Sequence, residues 1–147
     1  MKEIRNMIYH IYKTIRLIFS KLICVINHCI TWLKFKGNNV SFSSFRTGVN
    51  PYVMVARGGK MSVGKNFAMN NGINHNPIGC SLPCTFFVDR SATLSIGDST
   101  FVGTRSIILK GVTIGEKSIV GAGRLVTNSI PDNQIWAGNP ARFIRYV

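Results

Sequence analysis

A chain of 147 residues is one domain's worth of polypeptide and too short for two independent cores. With 46% hydrophobic, 10% aromatic and 16% charged residues it is globular, which excludes a disordered chain. Eighteen Lys and Arg against five Asp and Glu give a formal charge of +13, so its partners should be anions: nucleic acid, an acidic membrane face or a phosphorylated cofactor. The basic residues are spread along the chain and form no polybasic tail.

Residues 1–36 read as a basic amphipathic helix, because Ile4, Ile8, Ile11, Ile15, Ile18, Leu22, Val25 and Cys29 recur at spacings of four and three. Leu17, Phe19, Ile23, Ile26 and Ile30 broaden that seam, while Arg5, Lys13, Arg16 and Lys21 lie off it. The seam fits two roles: packing on its own domain or on symmetry mates, or lying on an anionic bilayer. A spanning helix is not expected here, since the longest uncharged run within residues 1–36, Leu22 to Leu33, has 12 residues where about 20 are needed. The apolar stretch ends in Trp32-Leu33-Lys34 and not in small residues, so it does not read as a cleaved signal peptide. Cys24, Cys29, Cys80 and Cys84 are therefore expected to be reduced, in a cytoplasmic setting with peripheral contact at the inner face of the membrane. Gly37-Asn38-Asn39 ends the helix as a turn.

From Val40 onward the pattern changes to short β-rich runs punctuated by glycine. Ile96, Val102, Ile108, Ile114, Val120 and Val126 place an aliphatic residue at every sixth position, and Gly97, Gly103, Gly115 and Gly121 directly follow four of them. Small or β-branched Thr100, Ser106, Val112 and Ser118 lie four positions after the aliphatic residues. This hexapeptide repeat marks a parallel β-helix in which three hexads close a coil of about 18 residues. Ladders of Ile96 on Ile114, Val102 on Val120 and Ile108 on Val126 should then point inward, with glycine at corners where a side chain would clash or φ must be positive.

A further copy, Met61-Ser62-Val63-Gly64, lies 33 residues before Leu94, three short of two full coils. An irregular loop near residues 70–84, rich in Asn, Gly and Pro, is expected to make up the difference. Pro131 should stop the ladder, which divides the chain into a helix over 1–36, a β-helix over 37–131 and a basic tail over 132–147.

The stretch from Ile108-Leu109-Lys110-Gly111-Val112-Thr113-Ile114-Gly115 through Val120-Gly121-Ala122-Gly123, with Val126-Thr127, Ile130-Pro131 and Trp136-Ala137-Gly138-Asn139-Pro140-Ala141-Arg142, closely resembles the hexapeptide-repeat acyltransferases. Within them it looks like the maltose, galactoside and polysaccharide O-acetyltransferases. The resemblance is tight over residues 94–147 and loose over 40–93. It implies an all-β, left-handed parallel β-helix, an exception to the usual right-handed crossover. It also implies a homotrimer with active sites between neighbouring prisms, acetyl-CoA as acyl donor and a sugar or glycan hydroxyl as acceptor.

By motif position, the resemblance assigns backbone contacts with the pantetheine arm to Thr104 and Ala122, with Thr127 following on the same ladder. Arg142 and Arg145 would meet CoA phosphates, a task that suits the planar guanidinium fork. Two positions depart from the family pattern: Asn128 stands where Lys is usual after Val-Thr, and Arg124 replaces a small residue after Gly-Ala-Gly. An arginine there must point out of the prism or into the CoA groove, since burying it unpaired is costly.

Acetyl transfer needs a base for the acceptor hydroxyl, and in this family a histidine serves. His75 is the one histidine in the repeat region; His10 and His28 fall on the helix. Its setting before Pro77 and its 28-residue distance from Gly103 favour it as the base. A second alignment opposes this: Asp98-Ser99-Thr100-Phe101 runs straight into Val102-Gly103, where polysaccharide acetyltransferases insert a loop with the catalytic histidine. On that alignment the chain is a shortened, inactive β-helix serving as a structural or mixed-trimer subunit. No metal site is expected from His75, Cys80 and Cys84, and charge alone does not make a nucleic-acid binder.

Overall fold

The structure is a computed structural model and describes residues 2–47, 50–70 and 83–147. Helix α1 (Lys2–Gly37) has no interior proline or glycine to break it. It ends where Asn39 takes a left-handed conformation (φ 54°) and the Asn38 and Val40 amides return to the Lys34 and Phe35 carbonyls at 3.0 and 2.9 Å. The Asn38 side chain donates to the Lys34 carbonyl and accepts from the Val55 amide, fastening this turn to the body.

Thirty-six helical residues are anchored by one narrow side. Thr31 and Phe35 are fully buried, and Phe35 meets Phe42 and Phe45 at ring distances of 5.4 and 5.1 Å. His28 stacks on Phe45 at 4.4 Å, and Lys34 Nζ donates to the Pro51 carbonyl at 2.9 Å. The apolar seam lies on the opposite side: Ile4, Ile8, Ile11, Ile15, Ile18, Leu22 and Val25 are all exposed, at 48–61% of their surface. Packing of the seam on its own domain is thus overturned. By length and composition, Glu3–Gly37 is also apolar enough to cross a membrane, contrary to the reading from uncharged runs.

The body is a coil with three parallel faces. One face stacks β1 (Ser41–Phe42), β4 (Lys60–Val63), β7 (Thr93–Ile96) and β10 (Thr113–Ile114). The second stacks β2 (Phe45–Thr47), β5 (Phe67–Asn70), β8 (Phe101–Gly103), β11 (Ile119–Val120) and β13 (Gln134–Ala137), with β14 (Arg142–Tyr146) antiparallel at its edge. The third stacks β3 (Tyr52–Val55), β6 (Thr85–Val88), β9 (Ile107–Ile108) and β12 (Leu125–Val126). The expected ladders are present: Ile114 pairs with Ile96, Val120 with Val102 and Val126 with Ile108, all buried. Each such side chain contributes about 1.5–3 kcal/mol through burial.

The corner glycines Gly97, Gly103 and Gly115 are there for space and not for φ. A Cβ on Gly97 would stand 2.7 Å from the Glu116 amide nitrogen, and one on Gly103 would stand 2.5 Å from that of Ala122. Positive φ falls two residues further on, at Asn66, Ser99, Arg105, Gly111, Lys117, Gly123 and Asn133. The buried hydroxyls four positions after the aliphatic residues tie coils together: Ser106 Oγ donates to the Gly121 carbonyl at 3.0 Å and Thr100 Oγ1 to that of Gly115 at 3.1 Å.

Two expectations need correction. Met61 pairs directly with Leu94, so the 33-residue interval is one enlarged coil and not two shortened ones. The extra length lies mostly between β5 and β6, with a smaller turn, Asp89 to Ala92, after β6. Pro131 does not stop the ladder either. Ile130 bridges Ile114, the Pro131 carbonyl accepts from Ser118 Oγ at 2.7 Å, and Asp132 Oδ1 accepts from the Glu116 amide at 2.8 Å. The proline lies at a corner where no ladder donor is required, and residues 134–146 form a hairpin on the second face instead of a tail.

Candidate functional site

Outward-facing residues of the third face form a ladder of their own. Thr85 pairs with Ile107 and Ile107 with Leu125, while Phe86, Ile108 and Val126 beside them are buried in the core. This period-two alternation leaves Thr85, Ile107 and Leu125 as the floor of a groove of ≈ 620 Å³. Its walls come from the corner between the second and third faces, where Arg105 precedes β9, Gly123 and Arg124 precede β12, and Pro83 precedes β6. Asn139 of the β13–β14 turn closes one side, next to a cis peptide bond to Pro140.

Among the described residues, two arginines and no carboxylate line this groove. Among the described residues the one ion pair is elsewhere, Lys110 to Asp89 at 2.7 Å, and Lys110 holds the Asp89 carboxyl below its usual range. Arg124 occupies the stack position that Ser106 fills one coil earlier. No further coil covers it, so the side chain lies across Gly121, whose Cβ would be 3.4 Å from Arg124 Nε. That Nε is buried and has no hydrogen-bond partner. A buried guanidinium donor without an acceptor is unfavourable, and an anion in the groove would supply one.

The corner also gathers part of the expected site. Thr104 is buried there, its carbonyl accepting from the Gly123 amide at 2.7 Å, and Ala122 is exposed over Gly103. Thr127 is exposed beyond the end of β12; Arg142 and Arg145 are exposed on β14, and none of the three lines the groove. His75 and Cys80 lie outside the described residues. The strands flanking that segment, β5 and β6, meet at this same corner, and Pro83 lines the groove. Arg105, Thr85 and Asn139 were not anticipated. An arginine at a left-handed corner, where Gly or Asn is the usual choice, was the available signal for Arg105.

The remaining candidates are structural. Cys84 is buried, donates to the Gly103 carbonyl at 3.1 Å, and has its thiol pKa raised to about 11 by burial. Cys24 donates to the Thr47 carbonyl at 3.5 Å. Among the described residues no cluster of His, Cys, Asp or Glu could hold a metal ion.

A parallel β-helix of stacked hexads with a cationic groove at one corner defines the class of this protein. Residues 93–128 match the family model described as hexapeptide repeat of succinyl-transferase. Over 57 residues the chain is 44% identical to the galactoside O-acetyltransferase of Escherichia coli K12, a match covering 39% of this chain and 28% of that relative. The serine acetyltransferase of Brucella abortus shares the fold with a TM-score of 0.57 at 20% identity, over 74% of this chain and 41% of that one. That of Neisseria gonorrhoeae does so with a TM-score of 0.55 at 18% identity, over 73% and 38%. The matches thus span less than half the length of these relatives. Residues 93–128 thus carry the hexapeptide repeat, in a tract similar to that of named acetyltransferases.

Proposed function

We propose that the protein is an acetyl-CoA-dependent O-acetyltransferase that modifies a sugar hydroxyl of a polysaccharide or glycan precursor. It works as a homotrimer of left-handed prisms in the cytoplasm. The observation that carries this reading is the corner groove, with the orphaned Arg124 Nε and Arg105 beside Thr104 and Ala122, in the tract most like a galactoside O-acetyltransferase.

CoA presents two anionic groups, a diphosphate and a ribose phosphate. Arg105 and Arg124 take the diphosphate in the groove, and Arg142 and Arg145 take the ribose phosphate beyond it. The apolar floor of Ile107 and Leu125 suits the pantetheine arm. His75, in the sequence between β5 and β6, is the base. It removes the proton of the acceptor hydroxyl as that oxygen attacks the thioester carbonyl. The tetrahedral intermediate collapses with breakage of the C–S bond, and the imidazolium returns the proton to the departing thiolate.

The test is acetyl transfer from acetyl-CoA to a panel of sugars, with His75→Ala and CoA titrations alongside. Loss of turnover with CoA affinity retained supports the assignment; equal turnover removes His75 as base, and no transfer by the parent protein to any acceptor leaves the noncatalytic reading. Arg142→Ala with Arg145→Ala should weaken CoA more than dephospho-CoA, and unchanged discrimination removes the hairpin from the site.

A further inference from the structure

We propose that α1 is an in-plane anchor, lying flat at an anionic bilayer surface with its apolar side in the lipid and the β-helix on its aqueous side. At 3.6 residues per turn, Cys24, Asn27, Thr31 and Phe35 share the side that meets the body. Ile4, Ile8, Ile11, Ile15, Ile18, Leu22, Val25 and Leu33 fall around the opposite side, all exposed. Phe35, with small or polar Cys24, Asn27 and Thr31, therefore does the packing and the aliphatic seam does not, the reverse of a helix whose function is to cover a core.

Charge identifies the occupant of that face. Arg5, Lys13, Arg16 and Lys21 lie on or beside the body-facing side, so in a flat helix their head groups reach lipid phosphates while the aliphatic side is immersed. Lys36, 5.9 Å from the Trp32 ring, ends the apolar side with an interfacial pair. A spanning orientation fails on two counts. The uncharged tract between Lys21 and Lys34 is the part fastened to the body, through Thr31, Phe35 and His28. The free part carries five cations, Lys2, Arg5, Lys13, Arg16 and Lys21, that would be unfavourable in hydrocarbon.

The test is sedimentation of the full chain with phosphatidylcholine vesicles, alone or containing about 30 mol% phosphatidylglycerol. The protein should bind the anionic vesicles, and Ile15→Asp with Leu22→Asp should lower the partition constant about tenfold or more. Lys13→Gln with Arg16→Gln should lower it by a similar factor on anionic vesicles and hardly at all on neutral ones. These residues are exposed, so circular dichroism and melting should be unchanged by the four substitutions. The fluorescence added by Ile8→Trp, Ile15→Trp and Leu22→Trp, each made singly, should be quenched equally by shallow brominated lipids. Failure of the parent protein to bind, binding indifferent to the aspartates, or deep quenching at one position would overturn the proposal. So would an oligomer that the aspartates dissociate in ultracentrifugation without vesicle binding.

Discussion

Replacing Gly103 with alanine should destabilise the protein much more than the same change at Gly121, although both follow an aliphatic residue in the same repeat. At Gly103 the added methyl would stand 2.5 Å from the Ala122 amide nitrogen, 2.7 Å from its Cα and 2.8 Å from the Gly121 carbonyl carbon. All three are backbone atoms of the next coil, so relief requires prising two coils apart. Overpacking of this kind costs about 1–3 kcal/mol, and three backbone contacts place Gly103→Ala at the upper end. At Gly121 the nearest atom is Arg124 Nε at 3.4 Å, the end of a movable side chain, and the cost should be below about 1 kcal/mol. Gly111 separates space from conformation: nothing lies within 4 Å, but its φ is +77°, so alanine there costs about 1–2 kcal/mol through the left-handed backbone and asparagine less. Urea unfolding of the three variants under one condition provides the comparison. Equal stability of Gly103→Ala and Gly121→Ala would refute coil stacking as the reason for these glycines.

Phe35→Ala, which empties the centre of the Phe35–Phe42–Phe45 cluster, should cost about 3–5 kcal/mol and raise amide exchange along α1, read by hydrogen–deuterium exchange. The Cys84 thiol, raised from 9.0 to about 11 by burial, holds its proton more tightly folded than unfolded. Its contribution to stability is therefore complete below pH 9 and is lost as pH rises toward 11, by about 2–3 kcal/mol, a slope that Cys84→Ala should remove from denaturation curves. Native alkylation followed by mass spectrometry should accordingly label Cys29, which is exposed, and spare Cys84 until the protein unfolds. Arg105→Gln and Arg124→Gln should each weaken CoA about tenfold and dephospho-CoA equally, since the groove pair serves the diphosphate; titration calorimetry checks both ligands.

Period-six spacing made the body legible before any coordinates, because inward ladders depend on local sequence alone: Ile96, Val102 and Ile108 find their partners one coil on. The coil count before Leu94 was not legible, since periodicity cannot tell an inserted excursion from a missing strand. Pro131 misled for a related reason. A proline is damaging only where its amide would donate, and its place at a corner depends on stacking that the sequence does not display. For α1 the seam was plain, but the side that packs mixes Phe35 with small Cys24 and polar Thr31, a mixture that hydrophobic periodicity does not single out. In the site, Arg124 stood out as a departure from the repeat, whereas Arg105 and Thr85 meet only when the corners of successive coils align.

The most direct measurement is a crystal structure with CoA bound, reading the distances from the Arg105 and Arg124 guanidinium nitrogens to the diphosphate oxygens. The account predicts charge-assisted contacts of about 2.7–2.9 Å, with Arg124 Nε among the donors and His75 facing the sulfur. CoA held elsewhere on the prism, or a diphosphate out of reach of both arginines, would contradict it.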